Sequence, residues 1–190
     1  GLGGGSSDAA AALRALDAVW DLGFSLKALA EIGAVVGSDV PACVHARPLI
    51  MEGRGERIAP LAAWPALDAV ILHPGQPVST AEVFAAYDAD APAELDAEGV
   101  AAAGDLAGAV ARIEASANHL EAPAMRIEPE IAIALERLRG TTGVRLARMS
   151  GSGASCFALY PTADAAVDAA RALNAAWPGW RAKAVRLGGA

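Results

Sequence analysis

Residues 144–160 read VRLARMSGSGASCFALY, and this stretch decides the class of fold. Two short runs, Val144–Met149 and Cys156–Tyr160, flank a Ser-Gly-Ser-Gly loop, the pattern of two strands joined by a short connection. Thr162 follows as a capping residue, and the alanine-rich run through Ala176 predicts a helix. Arg181–Leu187 alternates in the manner of a final strand. Strand, loop, strand, helix and strand in that order predict an α+β layer with helices on one face of an antiparallel sheet.

Working outward, Leu13, Leu16, Val19 and Trp20 recur at helical spacing behind Ser6, Ser7 and Asp8. The first helix is therefore predicted to start where the glycine run ends and to stop at Gly23. A second runs from a Ser25 cap to Gly37, with Leu26, Leu29, Ile32 and Val36 on one face. Val44–Met51, Glu56–Ala59 and Asp68–Leu72 read as antiparallel strands punctuated by Gly53, Gly55 and Pro65. Further helices are predicted over Ser79–Tyr87, Leu106–Ala117 and Pro129–Leu138. Asp88–Gly104 reads as a mobile loop with helical turns.

The 190 residues are 54% apolar and 19% charged, which excludes a disordered chain. The longest uncharged run, Met149–Ala163, is broken by Gly151, Gly153 and Pro161 and falls short of the ~18–20 apolar residues of a membrane span. A net charge of −7 argues against a nucleic-acid groove. Cys43 and Cys156 lie too far apart for a metal or redox motif and suit a reducing compartment. His45, His73 and His119 share no ligand spacing. With no methionine before Met51 and no leader composition, the chain reads as a piece of a longer protein.

Three segments could carry chemistry. Gly1-Leu2-Gly3-Gly4-Gly5-Ser6-Ser7-Asp8-Ala9-Ala10 leads glycines and hydroxyls directly into a helix, which makes a phosphate cradle; the alternative is a flexible linker. It lacks the Gly-Lys-Ser/Thr ending of a Walker A loop. Asp39, in Gly37-Ser38-Asp39-Val40-Pro41, could accept a proton from an attacking hydroxyl, although taken alone it reads as a turn or cap residue. Ser150-Gly151-Ser152-Gly153-Ala154-Ser155 serves equally as a second glycine loop over phosphates or as a plain hairpin connection. Phe84 and Tyr87, without further information, read as core aromatics.

In this order, with His73-Pro74-Gly75 and Val78-Ser79-Thr80-Ala81-Glu82-Val83-Phe84 between them, the segments resemble those of the GHMP kinase superfamily of small-molecule kinases. Within it they are similar to the branch acting on a cytidyl-bearing alcohol in non-mevalonate isoprenoid synthesis. The resemblance implies a cytoplasmic ATP-dependent kinase with Mg²⁺, with no nucleic-acid or membrane partner. Gly1, Leu2, Gly3, Gly4, Gly5, Ser6 and Ser7 would form the ATP segment, Gly3 to Ser7 holding the phosphates. Asp39 would take the substrate's hydroxyl proton. Thr80 would line the substrate pocket and Phe84 would stack on cytosine. Ser150, Gly151, Ser152 and Gly153 would support the phosphate loop; no metal ligands are assigned.

The implied architecture is two-domain α+β, lacking the N-terminal part of its first domain. The remainder of that domain would cover 1–51, a return of 181–190 to it being left open, and a substrate domain would cover 52–180, with ATP in the cleft between. The family's first strands and a lysine near its start lie before Gly1. His119, in Asn118-His119-Leu120-Glu121, stands where the family usually has Asp. Poor ATP binding, low turnover by this chain alone and exposed apolar surface follow as expectations. Two alternatives stay open: another GHMP kinase acting on homoserine, mevalonate or a sugar, and a non-catalytic remnant that binds a nucleotide or a partner.

Overall fold

The first helix, α1 (Gly4–Trp20), begins inside the glycine run rather than after it. Gly3 takes the N-cap position in a left-handed conformation with no side-chain cap bond, so Ser6, Ser7 and Asp8 lie within the helix. The reason is conformational: a glycine reaches positive φ without the Cβ clash that other residues suffer, and needs no capping hydroxyl to turn the chain. Residues 2–61, 64–87 and 103–188 are described in this computed structural model. Most of the segment expected to be a loop, Asp88–Gly104, lies outside them.

The second helix, α2 (Leu26–Val36), starts as predicted, with the Ser25 side chain accepting from the Ala28 amide. The predicted strand Val44–Met51 is corrected. A short helix, α3 (Val40–His45), comes first, and strand β1 occupies only Leu49–Glu52. Pro41 sits in the first turn of α3, where its fixed φ and missing N–H favour a helix start. Val40 and Val44, one turn apart, bury themselves with Ala10, Leu29 and Ala30. Gly33 permits the close crossing of α2 and α3, since a Cβ there would lie 2.7 Å from Val40 Cγ1. Strand β2 (Arg57–Pro60) pairs antiparallel with β1.

These elements form one compact unit, Gly3–Trp64, and a second is built on Pro65–Gly189. The β1–β2 hairpin lies within the first of these units, and among the described residues its two strands pair with each other. In the second unit β3 (Leu67–His73), β4 (Leu146–Met149), β5 (Cys156–Tyr160) and β6 (Arg181–Leu187) form a sheet of order β4-β5-β3-β6, every pairing antiparallel. The last strand thus stays in the second unit, on β3 along its whole length. Val70, Leu72, Cys156, Ala158 and Tyr160 face a core shared with α7 (Glu130–Arg139) and α8 (Ala163–Ala176). Thr162 caps α8 as predicted, accepting from Ala165 N.

The remaining helices are α4 (Thr80–Ala85), α5 (Leu106–Ala115) and α6 (Glu121–Ile127). Of these α6 has no counterpart in the sequence reading, because Pro123 in its first turn reads as a breaker yet is tolerated there. No helix among the described residues is long and apolar enough to cross a membrane. The first unit leaves a broad apolar surface: Val35 is 89% exposed, Val19 76% and Trp20 62%. Patches of this kind drive association. Concentration-dependent oligomers on size exclusion are the expected result, and a clean monomer at all loadings contradicts it.

Candidate active site

At the start of α1, Gly3 has φ 62° and ψ 31°. The first helical bond runs from Ser7 N to Gly3 O at 2.8 Å. The amides of Gly4, Gly5 and Ser6 therefore precede the hydrogen-bond ladder and point outward at the positive end of the helix. A Cβ placed on Gly3, Gly4 or Gly5 would meet nothing within 4 Å, so the space beside these amides is open. That combination accommodates phosphate oxygens, which need close backbone approach and N–H donors. Leu2 is 54% exposed, and Gly1 lies outside the described residues.

Asp39 occupies the N-cap position of α3 with φ −87° and makes no side-chain capping bond. Its exposed carboxylate has no hydrogen bond or ion pair among the described residues, unlike that of Asp105, which accepts from Gly108 N to cap α5. One turn along α3, Cys43 donates its amide to Asp39 O at 3.2 Å. The Cys43 thiol sits 3.6 Å from the Ser7 hydroxyl. The Ser7–Cys43 contact thus ties the phosphate-type helix start to α3, the helix at whose first turn Asp39 stands. Arg14 fastens the same helices, donating to the carbonyls of Cys43 and Val44 at 2.9 and 3.0 Å. Cations at a helix C-terminus satisfy orphan carbonyls, but a lone arginine within an alanine-rich helix gives no such signal in sequence. Gly55, at the β1–β2 turn, presses its Cα against the Ser38 carbonyl: a side chain there would collide with that backbone oxygen.

In the second unit, α4 carries the two predicted substrate residues. Ser79 caps it, accepting from Glu82 N. Phe84 is 57% exposed, so it belongs to the surface and not to the core, as its helical spacing had indicated. Tyr87 is half-buried, its ring centroid 6.4 Å from that of His119. Thr80 Oγ1 lies 2.9 Å from Ser152 Oγ, which joins α4 to the β4–β5 loop.

That loop is more than a connection. Gly151 and Gly153 both have positive φ, 56° and 89°. Ser152 and Ser155 are buried, at 8% and 3% exposure. Ser150 N donates to Ser155 O, and Gly153 N to Ser150 O. A Cβ on Gly153 would sit 2.9 Å from Met149 Sδ and 3.1 Å from Ile131 Cδ1, so only glycine fits without displacing its neighbours. Asn118 and Glu121 also hold the loop's first strand, a role the sequence reading left unassigned.

His73, at the end of β3, accepts the Gly75 amide on Nδ1 at 3.0 Å, which requires a neutral ring nitrogen. Burial, aided by the positive charge of Arg181 across the strand pair, pushes its pKa below the ordinary 6.5. The unfolded chain then binds a proton before the folded one as pH falls. Stability is accordingly unaffected above about pH 6.5 and declines below it. Urea midpoints at pH 7.5 and 5.5 test this, and His73→Asn is expected to reduce the difference. Among the described residues no three His, Cys, Asp or Glu side chains cluster as a metal cage.

Comparison with known proteins places these features. The profile of the GHMP kinase N-terminal domain matches residues 1–47, and that of the GHMP kinase C-terminal domain matches residues 95–179. The chain belongs to the GHMP kinase family. It is 47% identical over 189 residues to the 4-diphosphocytidyl-2-C-methyl-D-erythritol kinase of Rhodopseudomonas palustris, covering 95% of this chain and 62% of that protein. To the kinase of the same name from Parvibaculum lavamentivorans it is 45% identical, covering 100% and 66%. A crystal structure of 4-(cytidine 5'-diphospho)-2C-methyl-D-erythritol kinase superposes with a TM-score of 0.79 at 38% identity, covering 99% of this chain and 66% of that one. The chain thus spans less than two thirds of the length of these proteins.

Proposed function

We propose that the chain carries the phosphate-binding segment and proton acceptor of a kinase that phosphorylates the 2-hydroxyl of 4-diphosphocytidyl-2-C-methyl-D-erythritol, a step toward isoprenoids. The observation that carries this reading is the open glycine start of α1, joined by the Ser7–Cys43 contact to α3, whose N-cap position holds Asp39 with no side-chain capping bond. The likeness in sequence to kinases named for that substrate supports it.

In the proposed reaction the amides of Gly4, Gly5 and Ser6 hold phosphate oxygens of ATP. The substrate hydroxyl attacks the γ-phosphorus as Asp39 takes its proton, the bond to the bridging oxygen breaks, and ADP leaves. Positioning and charge stabilisation do most of the work in such a transfer. Mg²⁺ would enter with the nucleotide, bound by phosphates and by one or two protein oxygens, as this ion prefers; the Ser6 and Ser7 hydroxyls suit it. It would neutralise developing phosphate charge. Thr80 and exposed Phe84 would receive the cytidyl end, the ring supplying a stacking face.

Nucleotide binding can be read without turnover. Burial pushes the Cys156 thiol up to about 12, whereas Cys43 is only half-buried. A thiol reagent at pH 8 is therefore expected to modify one cysteine in the folded protein and two after denaturation. A non-hydrolysable ATP analogue should slow the reaction of Cys43 through its contact with Ser7; no protection at millimolar analogue overturns the phosphate assignment. A coupled ADP assay comparing the cytidyl alcohol with mevalonate tests the substrate.

A further inference from the structure

The segment that leads into α6, Asn118-His119-Leu120-Glu121, bears no assigned role in the proposed reaction, yet the side chains of Asn118 and Glu121 converge on Met149 and the loop between β4 and β5. Asn118 Nδ2 donates to two backbone carbonyls, Met149 O at 3.0 Å and Gly151 O at 2.8 Å. Its Oδ1 accepts from Leu120 N at 3.1 Å, so all three bonds require the same amide orientation. Glu121 Oε2 accepts from Met149 N at 3.1 Å. Both polar groups of Met149 are thereby held by one segment, immediately before the glycine loop begins. The ring of His119 faces Tyr87, just beyond α4. From the α4 side, Thr80 reaches the same loop through Ser152.

We infer that Asn118 and Glu121 are positioning residues that fix the Ser150–Gly153 loop in register with the substrate helix α4. The inference rests on the kinase reading above, in which Thr80, joined to that loop through Ser152, receives the cytidyl end of the substrate. Its chemical logic is specific. Two carbonyls pointing at one side chain need a donor, which Asn supplies and Asp does not. One amide pointing at another needs an acceptor, which both Glu and Gln supply. A reacting group displaced by about 1 Å can lose two orders of magnitude in rate.

The test compares Asn118→Asp, Glu121→Ala and Glu121→Gln by hydrogen exchange and by turnover per folded molecule. In Asn118→Asp and Glu121→Ala, amides of residues 149–155 should exchange at least about tenfold faster. Their kcat with the cytidyl alcohol should fall on the order of 10- to 100-fold, while ATP-analogue protection of Cys43 stays as in the parent. Glu121→Gln should retain slow exchange and most of the turnover. Unchanged exchange in Asn118→Asp and Glu121→Ala overturns the inference, and so does faster exchange with parental turnover. A parent protein that turns over no cytidyl alcohol counts against the kinase reading instead, and the exchange comparison still decides whether Asn118 and Glu121 hold the loop.

Discussion

Asp39→Asn is expected to lower the rate of ADP formation with the cytidyl alcohol by about 10²- to 10⁴-fold, the usual worth of a general base. The structure makes this substitution a clean one. Asp39 is exposed and its side chain caps nothing, so the fold does not depend on the carboxylate. Asn is as good a residue as Asp at an N-cap, and a surface exchange of this kind alters stability within about 0.5 kcal/mol. Thermal unfolding should therefore coincide with that of the parent, and the ATP analogue should still protect Cys43. The lower end of the rate range corresponds to a transition state in which the hydroxyl proton leaves late, as a loose phosphoryl transfer allows. Turnover within threefold of the parent would remove Asp39 from the role of proton acceptor.

Much of this fold was legible in local sequence, because the decisive signals were short-range. Ser25 and Thr162 each cap the helix that their position announces, and Cys156–Tyr160 and Arg181–Leu187 are strands over the expected residues. What failed did so where a tertiary partner outweighs propensity. Val44 looks like the start of a strand, but Val40 and Val44 find a helical groove on α2 that only Gly33 leaves open. The pairing of β6 with β3 joins residues more than a hundred positions apart, and neither strand's own alternation names its partner.

The candidate site divides along the same line. The glycine run stands out as a motif and Asp39 only through its place in the order of segments, while Cys43, Arg14, Asn118 and Glu121 act through contacts with backbone atoms or single hydroxyls far along the chain. Such residues have no spacing of their own. Phe84 shows the converse: its helical periodicity suggested burial, and only the exposure of that face of α4 reveals an available ring.

The second large effect is expected at Gly55, whose role is equally invisible in sequence. Its φ of 103° is already costly for any L-residue, and an added Cβ would drive into the Ser38 carbonyl, a backbone atom that cannot rotate away. Strain of this type costs roughly 1–3 kcal/mol and overpacking a further 1–3 kcal/mol. Gly55→Ala should therefore destabilise the first unit by about 2–6 kcal/mol, or else push Ser38 and the adjoining Asp39 out of place. Gly53→Ala separates the two causes. Gly53 also has positive φ, 67°, but the group its Cβ would meet is the carboxylate of Glu56, an exposed side chain that can rotate away on giving up its hydrogen bond from Arg54 N. Backbone strain alone predicts similar losses for both variants. Contact with the Ser38 backbone predicts that Gly55→Ala loses more stability, and that its remaining folded molecules lose ADP formation while those of Gly53→Ala keep it. Equal unfolding midpoints with equal turnover would mean that the hairpin tip does not hold the Asp39 turn.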